Sequence, residues 1–291
     1  MPRVPRLVLL FLSLPFLCGV GACRVPDVGP PAAVPSLALN RTGVPLGGPL
    51  EMTYQFAVLP DFVGVSESYQ VFVDFLDANE RVMFSDHHMP PVATTDWKPG
   101  ETVSYQRLIF VPIYPYVGDA SVTLRLASPL AEDSVGLVGE HLGEGRYRVA
   151  TVRLAPPPKS IPMFQAGWHQ RERDGYEEWR WSTSEATIAF ENPRQDSVVY
   201  LELEGRPMLF ESPQRVDLVV GGRTIDSFPV ENPGVILHTT MVSAADFGDG
   251  DLVELTLRVD STFVPAELPG SNSADDRRLG VRVFHAFVES R

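Results

Sequence analysis

Alternation of apolar and polar residues with a period of two runs through most of this chain and limits what it can fold into. Clear examples lie at 52–58, 71–75, 122–126 and 253–259, and turn-forming residues separate them. Because successive side chains of a strand point to opposite faces, such runs predict strands with one buried face. No extended run has helical periodicity, so the sequence predicts an all-β protein built from antiparallel β-sandwiches.

A proline-rich segment divides the chain into two parts. Residues 155–162 read APPPKSIP, with four prolines in eight positions, and neither a helix nor the interior of a sheet accommodates that composition. We therefore predict a first β-sandwich over 37–154, a linker over 155–162, and a second β-sandwich over 163–291. Within the second part, Gly221-Gly222 between two apolar runs predicts a tight hairpin with positive φ at both glycines.

The first 22 residues have the composition of an export signal. Arg3 and Arg6 precede an apolar run at 7–17, and small residues follow it, which is the three-part pattern of a secretory signal peptide. The apolar run is shorter than the roughly 20 residues of a membrane-spanning helix. We therefore predict a signal peptide over 1–22, followed by a proline-rich, extended tether over 23–36.

Residues 20–23 read VGAC, which resembles the lipobox of bacterial lipoproteins. The resemblance implies that Cys23 becomes the first residue of the mature chain and carries a lipid anchor, several acyl chains binding a bilayer far more firmly than one. The resemblance also implies a location in the cell envelope. It favours the outer membrane where there is one, because the residue after Cys23 is Arg24 and not an aspartate. The alternative is an ordinary signal peptide that leaves Cys23 as a free thiol. A disulfide with Cys18 is disfavoured, since cleavage would remove Cys18.

Acidic residues outnumber basic ones in this chain. Asp and Glu number 37 and Lys and Arg 24, giving a formal net charge of −13. Such a chain repels polyanions, so nucleic acid is not an expected partner.

The sequence contains no G-x-S-x-G, no H-E-x-x-H and no glycine-rich phosphate loop. We therefore predict a non-catalytic chain without a cofactor. A hydrolase whose acidic residues come from distant strands is a lesser alternative.

The most unusual local composition lies at 167–186, GWHQRERDGYEEWRWSTSEA, where aromatic residues alternate with arginine and glutamate. An aromatic ring can pack against the apolar face of a sugar, while carboxylates and guanidinium groups hydrogen-bond its hydroxyls. The candidate ligand-binding residues are therefore Trp168, Glu172, Tyr176, Trp179 and Arg180. The alternative interpretation is that the tryptophans, above all Trp181, are core residues.

Several weak motifs of the second half fit one pattern. They are Gly167-Trp168, Glu172, Trp179-Arg180-Trp181, the Gly221-Gly222 hairpin, 263–268 (FVPAEL) and 275–283 (DDRRLGVRV). Together they resemble a β-sandwich domain of bacterial envelope and polysaccharide-handling proteins that is similar to carbohydrate-binding modules, which implies contact with glycan. The first half, with the segment 86–112, is similar to immunoglobulin-like domains of bacterial surface lipoproteins.

Two short segments contain residue types that ligate metals. Residues 86–88 read DHH, but neighbouring side chains of a strand face opposite ways, and zinc needs three or four ligands on one side. Residues 246–251 read DFGDGD, an oxygen-rich loop whose spacing departs from the EF-hand order. The weak calcium candidates are Asp246, Asp249 and Asp251. A solvated acidic turn is favoured, so no bound metal is predicted.

The sequence thus predicts a lipid-anchored envelope protein that binds glycan or assists envelope polysaccharide assembly. The alternative is a protein–protein adaptor, in which exposed strand edges or the loop DHHMPP at 86–91 dock another envelope protein.

Overall fold

A computed structural model describes residues 30–128, 134–175 and 177–291. The predicted signal peptide, Cys23 and Tyr176 lie outside the described residues. Within them the chain is nearly all β, and the α-helix is a single short one, α1 (Ala244–Phe247). No helix of this part of the chain is long and apolar enough to cross a membrane.

The first ten strands form one continuous ten-stranded sheet. They are β1 (Pro31–Leu39), β2 (Gly43–Pro45), β3 (Pro49–Val58), β4 (Gln70–Leu76), β5 (Val82–His88), β6 (Thr102–Phe110), β7 (Gly118–Ala127), β8 (Ser134–Leu137), β9 (Glu140–His141) and β10 (Tyr147–Ala155). Strand β8 joins its two halves, since it pairs in parallel with β1 and antiparallel with β7. The sheet encloses a hydrophobic core that includes Tyr54, Phe56 and Phe75, none of which is exposed.

Strand β1 begins earlier than the sequence indicated. The tether predicted over 23–36 is wrong for residues 31–36, because they lie in this strand. Ala33 pairs with Val58 and is fully buried. A strand is as extended as a tether, so both can contain prolines. Strand β8 pairs with β1 only at Pro31 and Ala33. Pro35 is therefore tolerated, because β8 requires no hydrogen-bond donor from it.

The second part of the chain forms two five-stranded antiparallel sheets, which confirms the predicted sandwich. Its strands are β11 (Met163–Phe164), β12 (Glu172–Asp174), β13 (Glu177–Trp181), β14 (Glu185–Glu191), β15 (Ser197–Glu204), β16 (Gln214–Val220), β17 (Arg223–Val230), β18 (Ile236–Val242), β19 (Leu252–Val259) and β20 (Arg282–Ser290). One sheet has the order β11-β14-β19-β16-β17, and the other has the order β12-β13-β20-β15-β18. Phe190, Leu201 and Leu257 belong to the core between them.

Strands β16 and β17 form the hairpin that the two glycines predict. Val220 pairs with Arg223, and Gly221 and Gly222 have φ angles of 58° and 79°. Positive φ at both central residues is what a two-residue type I′ turn needs, so the hairpin prediction is confirmed.

A small hydrophobic cluster joins the two sandwiches. Phe110, at the end of β6, packs with Val198, Tyr200 and Phe287 of the second sandwich. The segment between the sandwiches is also packed, since Ser160 is buried and its hydroxyl donates to a main-chain carbonyl 3.2 Å away in β20. The two sandwiches therefore meet through apolar contact beside the linker.

An ion pair closes the rim of this contact. The guanidinium of Arg41 donates to the carboxylate of Glu289, which also accepts a hydrogen bond of 2.8 Å from the hydroxyl of Tyr200. Burial disfavours the charged carboxylate, but the hydrogen bonds from Arg41 and Tyr200 outweigh it and hold the pKa of Glu289 below its ordinary value.

We expect Arg41→Ala to lower the free energy of unfolding by about 2 kcal/mol at neutral pH, because it leaves a largely buried carboxylate without its charged donor. Since the pKa of Glu289 is lowered in the folded state, this contribution is present at neutral pH and is lost as the pH falls through that pKa. The difference in the free energy of unfolding between Arg41→Ala and wild type should therefore shrink at acidic pH. Urea denaturation at neutral and at acidic pH measures it.

Arg258→Ala is the matched control, because its pair with Glu185 is exposed and should change stability by less than about 1 kcal/mol. If Arg41→Ala and Arg258→Ala lowered the free energy of unfolding equally, the ion pair of Arg41 with Glu289 would contribute no more than an exposed surface pair.

Candidate functional site

A cleft of about 690 Å³ opens where the hairpin of β12 and β13 separates from β20. Strand β13 pairs with β20 at only two positions, Arg180 with Val283 and Trp181 with Arg282. The hairpin itself continues beyond them, to the pair of Asp174 with Glu177 at its tip. The gap left between hairpin and sheet is the cleft, and Pro112 of the first sandwich also lines it.

A β-bulge brings two consecutive side chains of β20 to this cleft. Opposite β15, Glu202 pairs with His285 and Leu203 pairs with Val283, so Phe284 is the extra residue. A bulge re-aims the side chains around it, and both Phe284 and His285 line the cleft.

Two aromatic rings form the apolar part of the site, and an arginine outside the cleft lining lies over them. The rings of Trp179 and Phe284 lie 5.9 Å apart between centroids. The guanidinium of Arg282 lies over both, at 4.8 Å from the ring of Trp179 and 5.0 Å from that of Phe284, where a cation is attracted to an aromatic face. Glu204 pairs with this guanidinium and fixes it.

The indole N–H of Trp179 is buried and donates to no described residue. Buried indole groups normally have a partner, and an unpaired donor costs free energy. Because almost none of this N–H is solvent-accessible, a ligand oxygen would recover that cost only if the indole moved.

One rim of the cleft is charged. Glu178 accepts hydrogen bonds from the Nε of Arg173 at 3.0 Å and from a terminal nitrogen of Arg171 at 2.9 Å. These hydrogen bonds, first that of Arg173, hold the pKa of Glu178 below its ordinary value, so the carboxylate is ionised at neutral pH. Arg180 lies over the ring of Phe164 at 5.4 Å and makes no ion pair with a described residue.

The opposite wall connects the cleft to the contact between the sandwiches. A carboxylate oxygen of Glu202 lies 2.6 Å from Nδ1 of His285, and the imidazole stacks on Phe110 with 4.7 Å between centroids and 9° between planes. Because Phe110 also packs in the cluster that joins the sandwiches, the first sandwich fixes this wall of the cleft.

The structure separates the candidate residues that the sequence grouped together. Trp179 and Arg180 line the cleft. Trp168 donates its N–H to the carbonyl of Thr187 at 2.8 Å and packs edge-on against a phenylalanine of β11, beside the second core. Glu172 lies opposite Trp179 in the hairpin, but it pairs with Arg277 at 2.7 Å and does not itself line the cleft.

Trp181 is a core residue, as the alternative interpretation had it. It is 6% exposed and packs edge-on against Phe263. Phe284, His285 and Glu202, which the sequence did not single out, line the cleft instead. Their positions depend on pairing and on the bulge, for which the sequence of β20 gives no signal.

Two residues of the DHH segment, Asp86 and His88, belong to a largely buried hydrogen-bond network. Nδ1 of His88 lies 2.9 Å from Asp86 and Nε2 lies 2.8 Å from the hydroxyl of Tyr105, while Arg107 pairs with Asp86 at 3.1 Å. Burial lowers the pKa of His88, and both of its nitrogens are engaged. Across the described ranges, no group of three or more His, Cys, Asp or Glu residues could hold a metal.

The three aspartates of the DFGDGD segment serve separate partners. Asp246 accepts from the hydroxyl of Ser243 at 2.7 Å and pairs with an arginine of β17. Asp251 pairs with Arg194 at 2.8 Å, and the main-chain carbonyl of Asp249 accepts from the same guanidinium. Their carboxylates thus do not converge on one point.

No family model matches the chain, and no curated protein matches it. Among solved structures it is similar to the CBM51-2 and INT domains of Clostridium perfringens ZmpB, in complex with GlcNAc, at 10% identity and a TM-score of 0.27. That match covers 61% of this chain and 38% of the other, so the chain spans well under half of that structure.

The tandem CBM22-1-CBM22-2 domain of Paenibacillus barcinonensis Xyn10C is similar at 10% identity and a TM-score of 0.23, covering 88% of this chain and 94% of the other. The serine-rich repeat protein Srr2 of Streptococcus agalactiae is similar at 5% identity and a TM-score of 0.24, with 79% and 85% covered. Scores at this level assign the chain neither to a family nor to a function.

Proposed function

We propose that this chain is a non-catalytic, glycan-binding protein of the cell envelope, exported by residues 1–22 and held at the membrane by a lipid on Cys23. The observation that carries glycan binding is the cleft, where a half-buried indole with an unpaired N–H lies beside ionised and hydrogen-bonding groups. The lipid anchor rests on the lipobox resemblance.

The shape and chemistry of the cleft fit a short oligosaccharide. Its volume of about 690 Å³ lies within the range of pockets for small ligands. The rings of Trp179 and Phe284 offer apolar surface to the C–H side of a pyranose. Arg180, Glu177 and Glu202 line the same cleft and supply donors and acceptors for hydroxyl groups.

The electrostatics of Glu178 favour hydrogen bonding to a ligand over acid catalysis. A glycosidase needs a carboxylic acid whose pKa is raised, so that it holds a proton at working pH. The pKa of Glu178 is lowered instead, by Arg173 and Arg171, and Glu202 lies against His285. Both carboxylates are thus placed to accept hydrogen bonds.

We expect the full-length chain to bind at least one envelope polysaccharide on a glycan array and Trp179→Ala to weaken that binding about tenfold, because stacking and apolar burial on the indole are lost. Phe72→Ala is the matched control, since Phe72 is also a half-buried aromatic residue under an arginine, but in the first sandwich. Calorimetric titration gives the affinities. If the folded wild-type chain bound no polysaccharide, or if both variants bound equally, the proposal would be wrong.

Phe110 is expected to act as a positioning residue for the same site. Phe110→Ala removes the ring that stacks on His285, so the affinity for glycan should fall several-fold although Trp179 is intact. Phe110→Tyr keeps an aromatic ring there and should restore most of the affinity. An unchanged affinity of Phe110→Ala, with its fold verified by circular dichroism, would contradict this role.

The lipid anchor is tested separately. Cys23→Ser should abolish the incorporation of labelled fatty acid into the chain in the expressing bacterium, because the acylated sulfur is lost. Cys18→Ser is the control, since Cys18 lies within the predicted signal peptide, and it should leave the labelling unchanged. Equal labelling of the two variants would refute the anchor without touching the glycan site.

A further inference from the structure

Strand β18 forms a free edge of the second sandwich. It pairs with β15 on one side and is the last strand of its sheet, with no described strand on its other side. Its sequence, ILHTTMV, contains no Asp, Glu, Lys, Arg, Pro or Gly. Proteins usually blunt free edges with charge or proline, and β17, at the corresponding edge of the other sheet, carries Arg223, Asp226 and Pro229.

The two faces of β18 differ. On the inward face, His238 lies 2.6 Å from Asp226 of β17 and stacks on Phe228, with 3.5 Å between centroids. Alternate residues point outward, and there Leu237 and Met241 are 40% and 65% exposed. The inward face is thus satisfied within the sandwich, and the outward face is open.

The open face continues the apolar contact between the sandwiches. In the pairing of β15 with β18, Met241 lies beside Val198 and Thr239 lies beside Tyr200. Val198 and Tyr200 are buried in the cluster around Phe110. An apolar contact therefore continues from this buried cluster to Met241 at the free edge, while Leu237 lies beside Glu202.

We propose that two copies of the chain pair antiparallel through their β18 edges. An antiparallel pairing centred on Thr239 places Leu237 of one copy opposite Met241 of the other. The two-fold axis repeats this contact, so Leu237 and Met241 are covered in both copies. The formal net charge of −13 makes two copies repel elsewhere, but this edge brings no like charges together. The two sheets become one sheet that crosses the dimer.

Analytical ultracentrifugation of the purified full-length chain, over a range of concentrations, tests the pairing. We expect a monomer–dimer equilibrium whose dissociation constant rises about tenfold or more in Met241→Lys, since a charge then replaces an apolar contact in each half of the interface. Met208→Lys is the matched control, because Met208 is 85% exposed and lies outside β18. A wild-type chain that stays monomeric throughout, or a dimer that Met241→Lys leaves unchanged, would overturn the proposal.

A cysteine test checks the register. Residues opposite each other in an antiparallel pair lie about 4.5–5.5 Å apart between Cα atoms, within reach of a disulfide. Under mild oxidation, Thr239→Cys should therefore form a disulfide between the two copies of the chain. Leu237→Cys faces Met241 of the second copy, so it should give no more disulfide-linked dimer than the wild-type chain. Equal cross-linking of the two variants would contradict pairing centred on Thr239.

Discussion

The stacking of Phe110 on His285 is the contact on which the arrangement of this molecule depends. On one side Phe110 belongs to the apolar cluster that joins the two sandwiches. On the other side His285 pairs with Glu202 and forms a wall of the cleft. One ring thus couples the orientation of the first sandwich to the shape of a site that lies mostly in the second.

The cleft exists because the sheet of β12, β13, β20, β15 and β18 is irregular at one place. The hairpin of β12 and β13 leaves β20 after two paired positions, and the bulge at Phe284 re-aims the neighbouring side chains of β20. A regular sheet would have continued the ladder and filled this space with backbone pairing. The irregular edge instead leaves an aromatic surface next to charged groups, which is the combination that a polar ligand with an apolar face requires.

Much of the fold follows from local rules, and part of the site does not. Period-two alternation and the Gly221-Gly222 turn predict the strands and the hairpin correctly, because both depend on neighbours in sequence. Composition drew attention to Trp179 and Arg180, which line the cleft, and to Trp168, whose N–H is bonded to main chain beside the second core. Alternation cannot tell these indoles apart, since their surroundings come from strands far away in the chain. Proline content likewise cannot distinguish a tether from a strand such as β1, whose pairing partners lie far away in the chain.

Glycan binding at the indole of Trp179 is tested most directly in the indole region of a ¹H–¹⁵N spectrum. The chain has four tryptophans, and the N–H groups of Trp97 and Trp168 donate to main-chain carbonyls, while that of Trp179 has no partner among the described residues. Titration with an oligosaccharide of the bound polysaccharide should shift the Trp179 signal and leave that of Trp97 unchanged. A Trp179 signal that stays in place while the glycan binds would contradict the account.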